Sequence, residues 1–148
     1  MFLHKNDWII YFNSPVARGF LAGQYQETSP NDWRASVPYM SGDNLKENTA
    51  LVKEIEAIAT KKGITLAQLS LAWVINQGCD VFPIPGTTKL NHLEDNIKAA
   101  EVNLTSDEME LIANAAAKMK GERGDERYMQ MAYNNKQSKW FLFEIRFC

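Results

Sequence analysis

The sequence predicts an α/β fold in which short parallel strands alternate with amphipathic helices. Two segments, Asp7–Phe12 and Asp80–Ile84, have the β-branched and aromatic composition of strands. Two helical patterns lie between these segments, and two more follow the second one. Because parallel strands need a long crossover, usually a helix, this order predicts a parallel sheet covered by helices.

The composition is that of one compact globular domain without a basic surface. The 148 residues are 45% hydrophobic and 23% charged, and the net charge is −2 with lysines and acids interleaved. This small and evenly distributed charge argues against a nucleic-acid partner.

Two cysteines and two histidines have no zinc-site spacing, so no metal is predicted. No apolar run approaches the ~20 residues that span a bilayer and no signal-peptide pattern is visible, so we expect a cytoplasmic protein.

The first strand is predicted to be buried on both faces, because Asp7–Phe12 shows no polar alternation. The following segment Gln26–Gly42 contains Pro30 and Pro38 and has no sustained period. It is predicted to be a long surface loop, which either closes over a ligand or is disordered.

Three helix starts are predicted from capping-box spacings, in which a polar residue precedes Glu or Gln by three positions. The second helix is apolar almost all round, which predicts deep burial. The predicted helices run from Asn44/Glu47 to Lys62 before Gly63, from Thr65/Gln68 to near Gly78, and from Thr105/Glu108 to about Lys118. Their predicted inward residues include Leu45, Leu51, Ile55 and Ile58 in the first helix, and Met109, Ile112, Ala113 and Ala116 in the last.

The second strand contains Pro83, which lacks an N–H and therefore predicts an edge, a bulge or a strand end. The helix after it, "KLNHLEDNIKAA", is predicted to turn Leu90, Leu93 and Ile97 inward. Two strands cannot bury the faces of four helices, so the sequence predicts part of a larger sheet.

The stretch "FPIPGTTKLNHLEDN" places hydroxyl groups and a cation ahead of a helix N-terminus. Exposed N–H groups and the helix dipole favour an anion there, so a phosphate site is one interpretation. Taken alone, Pro-Gly followed by Thr-Thr-Lys is more often an ordinary turn.

Two motifs, "SPVARGFLAGQY" at Ser14–Tyr25 and "IPGTTKLNHLEDN" at Ile84–Asn96, surround the predicted helix pair. In this arrangement the chain resembles, from about Trp8 to Tyr128, the C-terminal part of the aldo-keto reductases. The resemblance is greatest to the branch of plant and microbial enzymes that is similar to potassium-channel β subunits. It implies the C-terminal part of a (β/α)8 TIM barrel, with about two parallel strands and four helices in this chain. Residues 1–148 would be a single partial domain with a divergent tail at 129–148.

The resemblance also implies an NADPH site at the barrel mouth, in an enzyme that reduces aldehydes and ketones to alcohols. It assigns Ser14, Val16, Arg18 and Gly19 to the pyrophosphate, Gly86, Thr87, Thr88 and Lys89 to the 2′-phosphate, and Asp95 and Asn96 to the adenine edge. His92 stands where many relatives have an arginine that binds the 2′-phosphate. Asn13 stands where relatives have an aromatic residue against the nicotinamide.

The family's catalytic Asp, Tyr, Lys and His belong to the N-terminal half of the barrel, and none has a counterpart here. No catalytic residue is therefore assigned, and the chain is interpreted as the cofactor-binding part of an NADPH-dependent reductase. The expected partners are NADP(H), a small carbonyl substrate in the complete barrel, and a second chain if one completes it. Two alternatives stay open: a nucleotide-sensing or pairing module similar to the channel β subunits, and a non-functional truncated product.

Overall fold

The computed structural model describes residues 9–132, with gaps at 24, 26–28 and 30. The elements, in chain order, are β1 Ile10–Asn13, α1 Gly42–Lys62, α2 Leu66–Ile75, β2 Val81–Ile84, α3 Leu90–Lys98, α4 Ser106–Ala117 and α5 Glu126–Ala132. Short 3₁₀ helices occur at Ala17–Ala22, Trp33–Ser36, Pro38–Met40 and Ala99–Glu101. No helix within the described part of the chain has the length and apolarity to cross a membrane.

The two strands form a parallel pair, which confirms the predicted strand direction. Ile10 is opposite Val81 and Asn13 is opposite Ile84, while α1 and α2 make the crossover between the strands. Pro83 lies inside β2 opposite Phe12. Because each strand of a pair has one open edge, a residue without an N–H can be accommodated there.

The prediction that the first strand is buried on both faces is wrong for the residues that are described. Tyr11 is 66% exposed, and its ring lies 6.3 Å from the ring of the exposed Phe82 on the neighbouring strand. Successive strand residues point to opposite faces, and α2 packs against β2 on one face. The apolar residues of the other face therefore stay exposed. Asp7 and Trp8 lie outside the described residues.

The core lies mainly between α1, α2, α4 and the segment that precedes α1. α2 has seven buried residues of ten, which confirms the predicted deep burial. In α4, Met109 and Ile112 are buried as predicted, but Ala113 and Ala116 are exposed and Ala115 is buried instead. The inward face of α4 is therefore rotated slightly from the predicted one.

Two of the three predicted capping boxes are present. The Thr65 hydroxyl accepts from the Gln68 N–H at 3.1 Å and the Gln68 side chain accepts from the Thr65 N–H at 2.9 Å. The Thr105 and Glu108 pair makes the same two bonds.

The third predicted box, at Asn44, is wrong. α1 begins at Gly42, and the side chain of Asn44 donates to the carbonyl of Pro38 at 3.1 Å. The 3₁₀ helix just ahead of α1 supplies this competing acceptor, and the N-cap of the helix is Ser41, three residues earlier than predicted.

The end of the predicted surface loop 26–42 belongs to the core, whereas residues 31–36 are exposed or half-buried. Val37, Tyr39 and Met40 are buried, and Asp32 caps the short helix Trp33–Ser36 by accepting from the Arg34 N–H. The prediction of a surface loop therefore fails for Val37, Tyr39 and Met40, because the end of this segment packs against α1. Residues 26–28 and 30 lie outside the described part.

α3 differs most from its prediction. Its apolar residues Leu90, Leu93 and Ile97 are exposed, although they were predicted to face inward. No described residue of α3 is fully buried. The amphipathic pattern predicted the helix itself, but the elements that the structure describes do not cover its apolar face.

Candidate functional site

A cleft of about 450 Å³ opens where the two parallel strands end. Because Asn13 and Ile84 are opposite each other, the loop that starts at Ser14 and the loop that starts at Pro85 leave the sheet side by side. The carboxyl ends of parallel strands are the usual place for ligands in α/β folds. The lining residues are Ser14, Pro15, Val16, Arg18, Gly19, Ala22, Thr65, Ala67, Pro85, Gly86, Thr87, His92, Asp95 and Asn96.

The cleft brings together nine of the eleven residues that the sequence singled out. These are Ser14, Val16, Arg18, Gly19, Gly86, Thr87, His92, Asp95 and Asn96. Thr88 and Lys89 are exposed and are not part of the lining. The two groups of residues are about 70 positions apart in the chain, and the parallel pairing of the strands places them together.

Sequence reasoning missed the contribution of α2. Thr65 and Ala67, at the start of this helix, form one side of the cleft. The capping box located this helix start, but no local signal shows which loop a helix start will face. The neighbouring prolines Pro15 and Pro85 were also missed, although both lie directly beside predicted site residues.

The loop Ser14–Gly19 has an unusual backbone. The φ angles of Ser14, Ala17, Arg18 and Gly19 are 51°, 48°, 59° and 90°. This left-handed region is easy for glycine but costs other residues roughly 1–2 kcal/mol each. Two turn bonds accompany it: the Ala17 N–H donates to the Ser14 carbonyl and the Gly19 N–H donates to the Val16 carbonyl. Strained backbone of this kind is concentrated at ligand sites.

Arg18 supplies positive charge at the cleft. Its guanidinium lies 5.4 Å from the ring centre of Trp33 and 5.4 Å from that of Tyr128. Contact with two aromatic faces holds a cation in place without neutralising it. The side chain is therefore ordered and keeps its charge for an anion.

The other rim of the cleft is the turn before α3. A side-chain carbon at Gly86 would meet no atom within 4 Å, so this residue borders open space. The Thr87 hydroxyl accepts from the Lys89 N–H at 3.1 Å, which closes the turn. Lys89 is the N-cap of α3 and makes no side-chain capping bond. The first N–H groups of α3 therefore receive no bond from the N-cap side chain, which favours a bound anion there.

The cleft side of α3 is polar. His92, Asp95 and Asn96 are half-buried and line the cleft, so they can offer donors and acceptors to a polar ligand. Within residues 9–132, apart from the gaps, no three His, Cys, Asp or Glu side chains lie close enough together to hold a metal ion. The site can bind an organic anion with hydrogen-bonding groups.

Comparison with known proteins identifies the family. The family model "Aldo/keto reductase family" matches residues 1–117. The chain is 38% identical over 106 residues to aldo-keto reductase str7 of Strobilurus tenacellus, covering 70% of this chain and 32% of that protein. It is 41% identical over 104 residues to aldo-keto reductase yakc [NADP(+)] of Schizosaccharomyces pombe, covering 68% of this chain and 31% of that protein. The chain thus matches about one third of the length of these relatives, and it belongs to the aldo/keto reductase family.

Proposed function

We propose that the chain forms the part of an NADPH-dependent aldo-keto reductase barrel that binds the adenosine and pyrophosphate end of the cofactor. The observation that carries the proposal is the common cleft of the two strand-end loops, which contains nine residues assigned from sequence. The family uses nicotinamide cofactors, and the Schizosaccharomyces pombe relative is named as NADP(+)-dependent.

The physical properties of the cleft support a phosphorylated ligand. Its volume of about 450 Å³ is within the usual range for small-molecule sites. Arg18 contributes a permanent positive charge on one rim, and the start of α3 contributes the positive end of a helix dipole on the other. A dinucleotide would extend between them, with its pyrophosphate near Arg18 and its 2′-phosphate near Gly86 and Thr87. Lys89 would reach the 2′-phosphate from outside the cleft, whereas Thr88, which does not line the cleft, would make no contact that NADPH binding requires.

The same proposal explains the exposed apolar surface. Tyr11 and Phe82 on the sheet, and Leu90 and Ile97 on α3, would be covered by neighbouring strands and helices of a complete (β/α)8 barrel. We propose that residues 1–148 are one partial barrel domain of a cytoplasmic protein, with a divergent tail at 129–148. The tail stretch 138–148 lies outside the described residues.

Reduction of an aldehyde or ketone by the complete barrel needs a proton donor in addition to the cofactor. No residue of this chain is assigned to that role. The chain would bind and orient the cofactor, whose nicotinamide supplies hydride when bound, and the donor would come from another part of the barrel.

Tryptophan fluorescence tests the binding proposal, because Trp33 contacts Arg18 at the cleft. The chain is titrated with NADPH, and the variants Thr87→Val and Thr88→Val are compared. Thr87 lines the cleft and Thr88 does not, although both are exposed threonines of one turn. We expect Thr87→Val to weaken NADPH binding about fivefold, the effect of one hydrogen bond, and Thr88→Val to change it less than twofold.

Two results would contradict the proposal. One is the absence of saturable NADPH binding by a cooperatively folded chain. The other is an equal loss of affinity in both threonine variants, which would show that the ligand does not enter the cleft.

A further inference from the structure

The left-handed loop Ser14–Gly19 is held from outside by the segment that precedes α1. Three of its residues with positive φ are not glycine, namely Ser14, Ala17 and Arg18. Such a backbone persists only where surrounding contacts determine it. Two side chains, Tyr39 and Arg34, donate to carbonyls of this loop.

Tyr39 holds the first of these carbonyls. Its hydroxyl donates to the carbonyl of Ala17 at 3.0 Å. The ring is buried and packs edge-on against Phe20, with 5.9 Å between ring centres. This packing fixes the direction of the hydroxyl. Burial also raises the pKa of Tyr39, so the hydroxyl keeps its proton and remains a donor at neutral pH.

Arg34 holds the second carbonyl. Its Nη1 donates to the carbonyl of Arg18 at 3.3 Å. Its Nε and Nη2 donate to the carboxylate of Asp32 at 3.0 and 2.6 Å, and its guanidinium lies 4.5 Å from the ring centre of Tyr25. A bidentate pair and an aromatic contact leave this guanidinium little freedom. It therefore serves as a fixed donor for the loop.

We propose that Tyr39 and Arg34 are positioning residues that set the pyrophosphate side of the cleft. In a trans peptide the carbonyl and the next N–H point in opposite directions. A donor fixed on the Ala17 carbonyl therefore also fixes the N–H of Arg18. The donor on the Arg18 carbonyl likewise fixes the peptide of Gly19, whose N–H donates to the Val16 carbonyl and closes the turn. The identity of the ligand in this inference rests on the proposed function. The statement that Tyr39 and Arg34 hold the loop rests on the geometry alone.

The test compares two identical chemical changes, Tyr39→Phe and Tyr25→Phe. Both tyrosines are buried, but the hydroxyl of Tyr25 has no hydrogen-bond partner among the residues that the structure describes. Affinities are measured for NADPH and for adenosine 2′-monophosphate, which lacks the pyrophosphate. We expect Tyr39→Phe to weaken NADPH binding fivefold to tenfold and to change binding of adenosine 2′-monophosphate less than twofold. Tyr25→Phe should change neither affinity.

A loss of affinity for NADPH without a loss for adenosine 2′-monophosphate distinguishes a positioning role of Tyr39 from a general effect on stability. Equal losses for both ligands in Tyr39→Phe, or equal losses in the two tyrosine variants, would overturn the proposal. Arg34→Lys provides a second variant, because lysine keeps the charge but loses the bidentate pair with Asp32. It should also weaken NADPH binding selectively, and unchanged NADPH affinity in both Tyr39→Phe and Arg34→Lys would overturn the proposal.

A ligand-independent measurement distinguishes failure of this inference from failure of the proposed function. NMR chemical shifts of Ala17 and Arg18 report their left-handed conformation without ligand. We expect these shifts to move toward averaged values in Tyr39→Phe and to stay unchanged in Tyr25→Phe. If the unmodified chain binds neither ligand, the proposed function fails, and the shifts alone decide whether Tyr39 holds the loop. Unchanged shifts in Tyr39→Phe would overturn that role.

Discussion

α2 and α3 precede and follow β2 and are nearly equal in length, but they differ in how much of their surface is buried and in which side chains are shielded from solvent. α2 has seven buried residues, most of them apolar. α3 has none, and its half-buried residues are the polar His92, Asp95 and Asn96 of the cleft. The apolar residues of α3 are exposed. Within the described chain, α2 is placed by the hydrophobic core, whereas α3 presents its polar face to the cleft.

This difference shows how much an amphipathic pattern can predict about a helix. The pattern of α3 predicts a helix with one apolar face, but it does not specify which element covers that face. In α2, packing within the described chain satisfies the pattern. In α3, Leu90, Leu93 and Ile97 are available to a neighbour, which the proposed barrel would supply.

Truncating one leucine in each helix should give the largest difference in stability between α2 and α3. Leu69 in α2 is 0% exposed and Leu90 in α3 is 72% exposed. Leu69→Ala should lower the free energy of unfolding by about 2–5 kcal/mol, because it removes buried methyl groups and leaves a cavity. Leu90→Ala should change it by less than about 0.5 kcal/mol. Urea unfolding followed by far-UV circular dichroism measures both.

A large loss in Leu90→Ala would contradict the exposed position of this face. The measurement should be repeated at several protein concentrations. A loss that grows with concentration would show that another copy covers α3 in solution, since association makes stability depend on concentration.

Asn48 of α1 tests how much a buried polar contact contributes to the stability of the core. Its side chain is fully buried, donates to the carbonyls of Tyr39 and Lys120, and accepts from the Lys120 N–H. Asn48→Ala leaves these backbone groups without their partner, so we expect a loss of about 2–4 kcal/mol in the free energy of unfolding. The matched control is Asn114→Ala at an exposed position of α4, which should change stability by less than about 0.5 kcal/mol. Similar results for the two variants would contradict the role of Asn48.

His92 tests the cleft side of α3. His92→Arg adds a permanent charge with a forked donor group beside the proposed 2′-phosphate. We expect NADPH affinity to increase about tenfold, or about 1.4 kcal/mol, with no comparable change for NADH. Parallel titrations of both cofactors measure this. An equal gain for NADH would show that the charge acts on the pyrophosphate or non-specifically.

The starts of α2 and α4 give the smallest and most specific prediction. Both have capping boxes, but Gln68 is neutral whereas Glu108 carries a charge and lies 3.0 Å from the Lys62 ammonium. The hydrogen bond from the Thr105 N–H, followed by the effects of Lys62, lowers the pKa of Glu108 below its usual value. A lowered folded-state pKa stabilises the protein above the unfolded-state value and loses this contribution as the pH falls through the folded-state value.

Glu108→Gln should therefore give α4 an uncharged capping box like that of α2. At pH 7 we expect it to lower the free energy of unfolding by about 0.5 kcal/mol, the usual scale of a single ion pair near the protein surface. Because glutamine does not titrate, the difference should decrease between about pH 5 and pH 3, around the ordinary glutamate value. Urea unfolding across this range measures it. A difference that stays constant with pH would show that charge on Glu108 does not contribute.

Much of the candidate site could be predicted from the two motifs that carry the family resemblance, and both motifs begin at the end of a recognisable strand. Ser14 and Gly86 belong to the loops after these strands, and parallel pairing brings the loops together. The contribution of Thr65 and Ala67 could not be predicted, since it depends on how α2 crosses the sheet. The start of α1 was mispredicted because the acceptor of Asn44 belongs to Pro38, in a segment without a regular pattern.

The sequence by itself determined the features that depend on neighbours a few positions apart. These are the helix starts at Thr65 and Thr105 and the turn at Gly86 and Thr87. Tertiary structure decided which apolar faces are covered and how the Ser14–Gly19 loop is held. The bond from Tyr39 to Ala17 joins residues 22 positions apart, and that from Asn48 to Lys120 joins residues 72 apart. Such contacts exist only after the chain has packed, because side chains distant in sequence meet only when helices and strands take fixed positions.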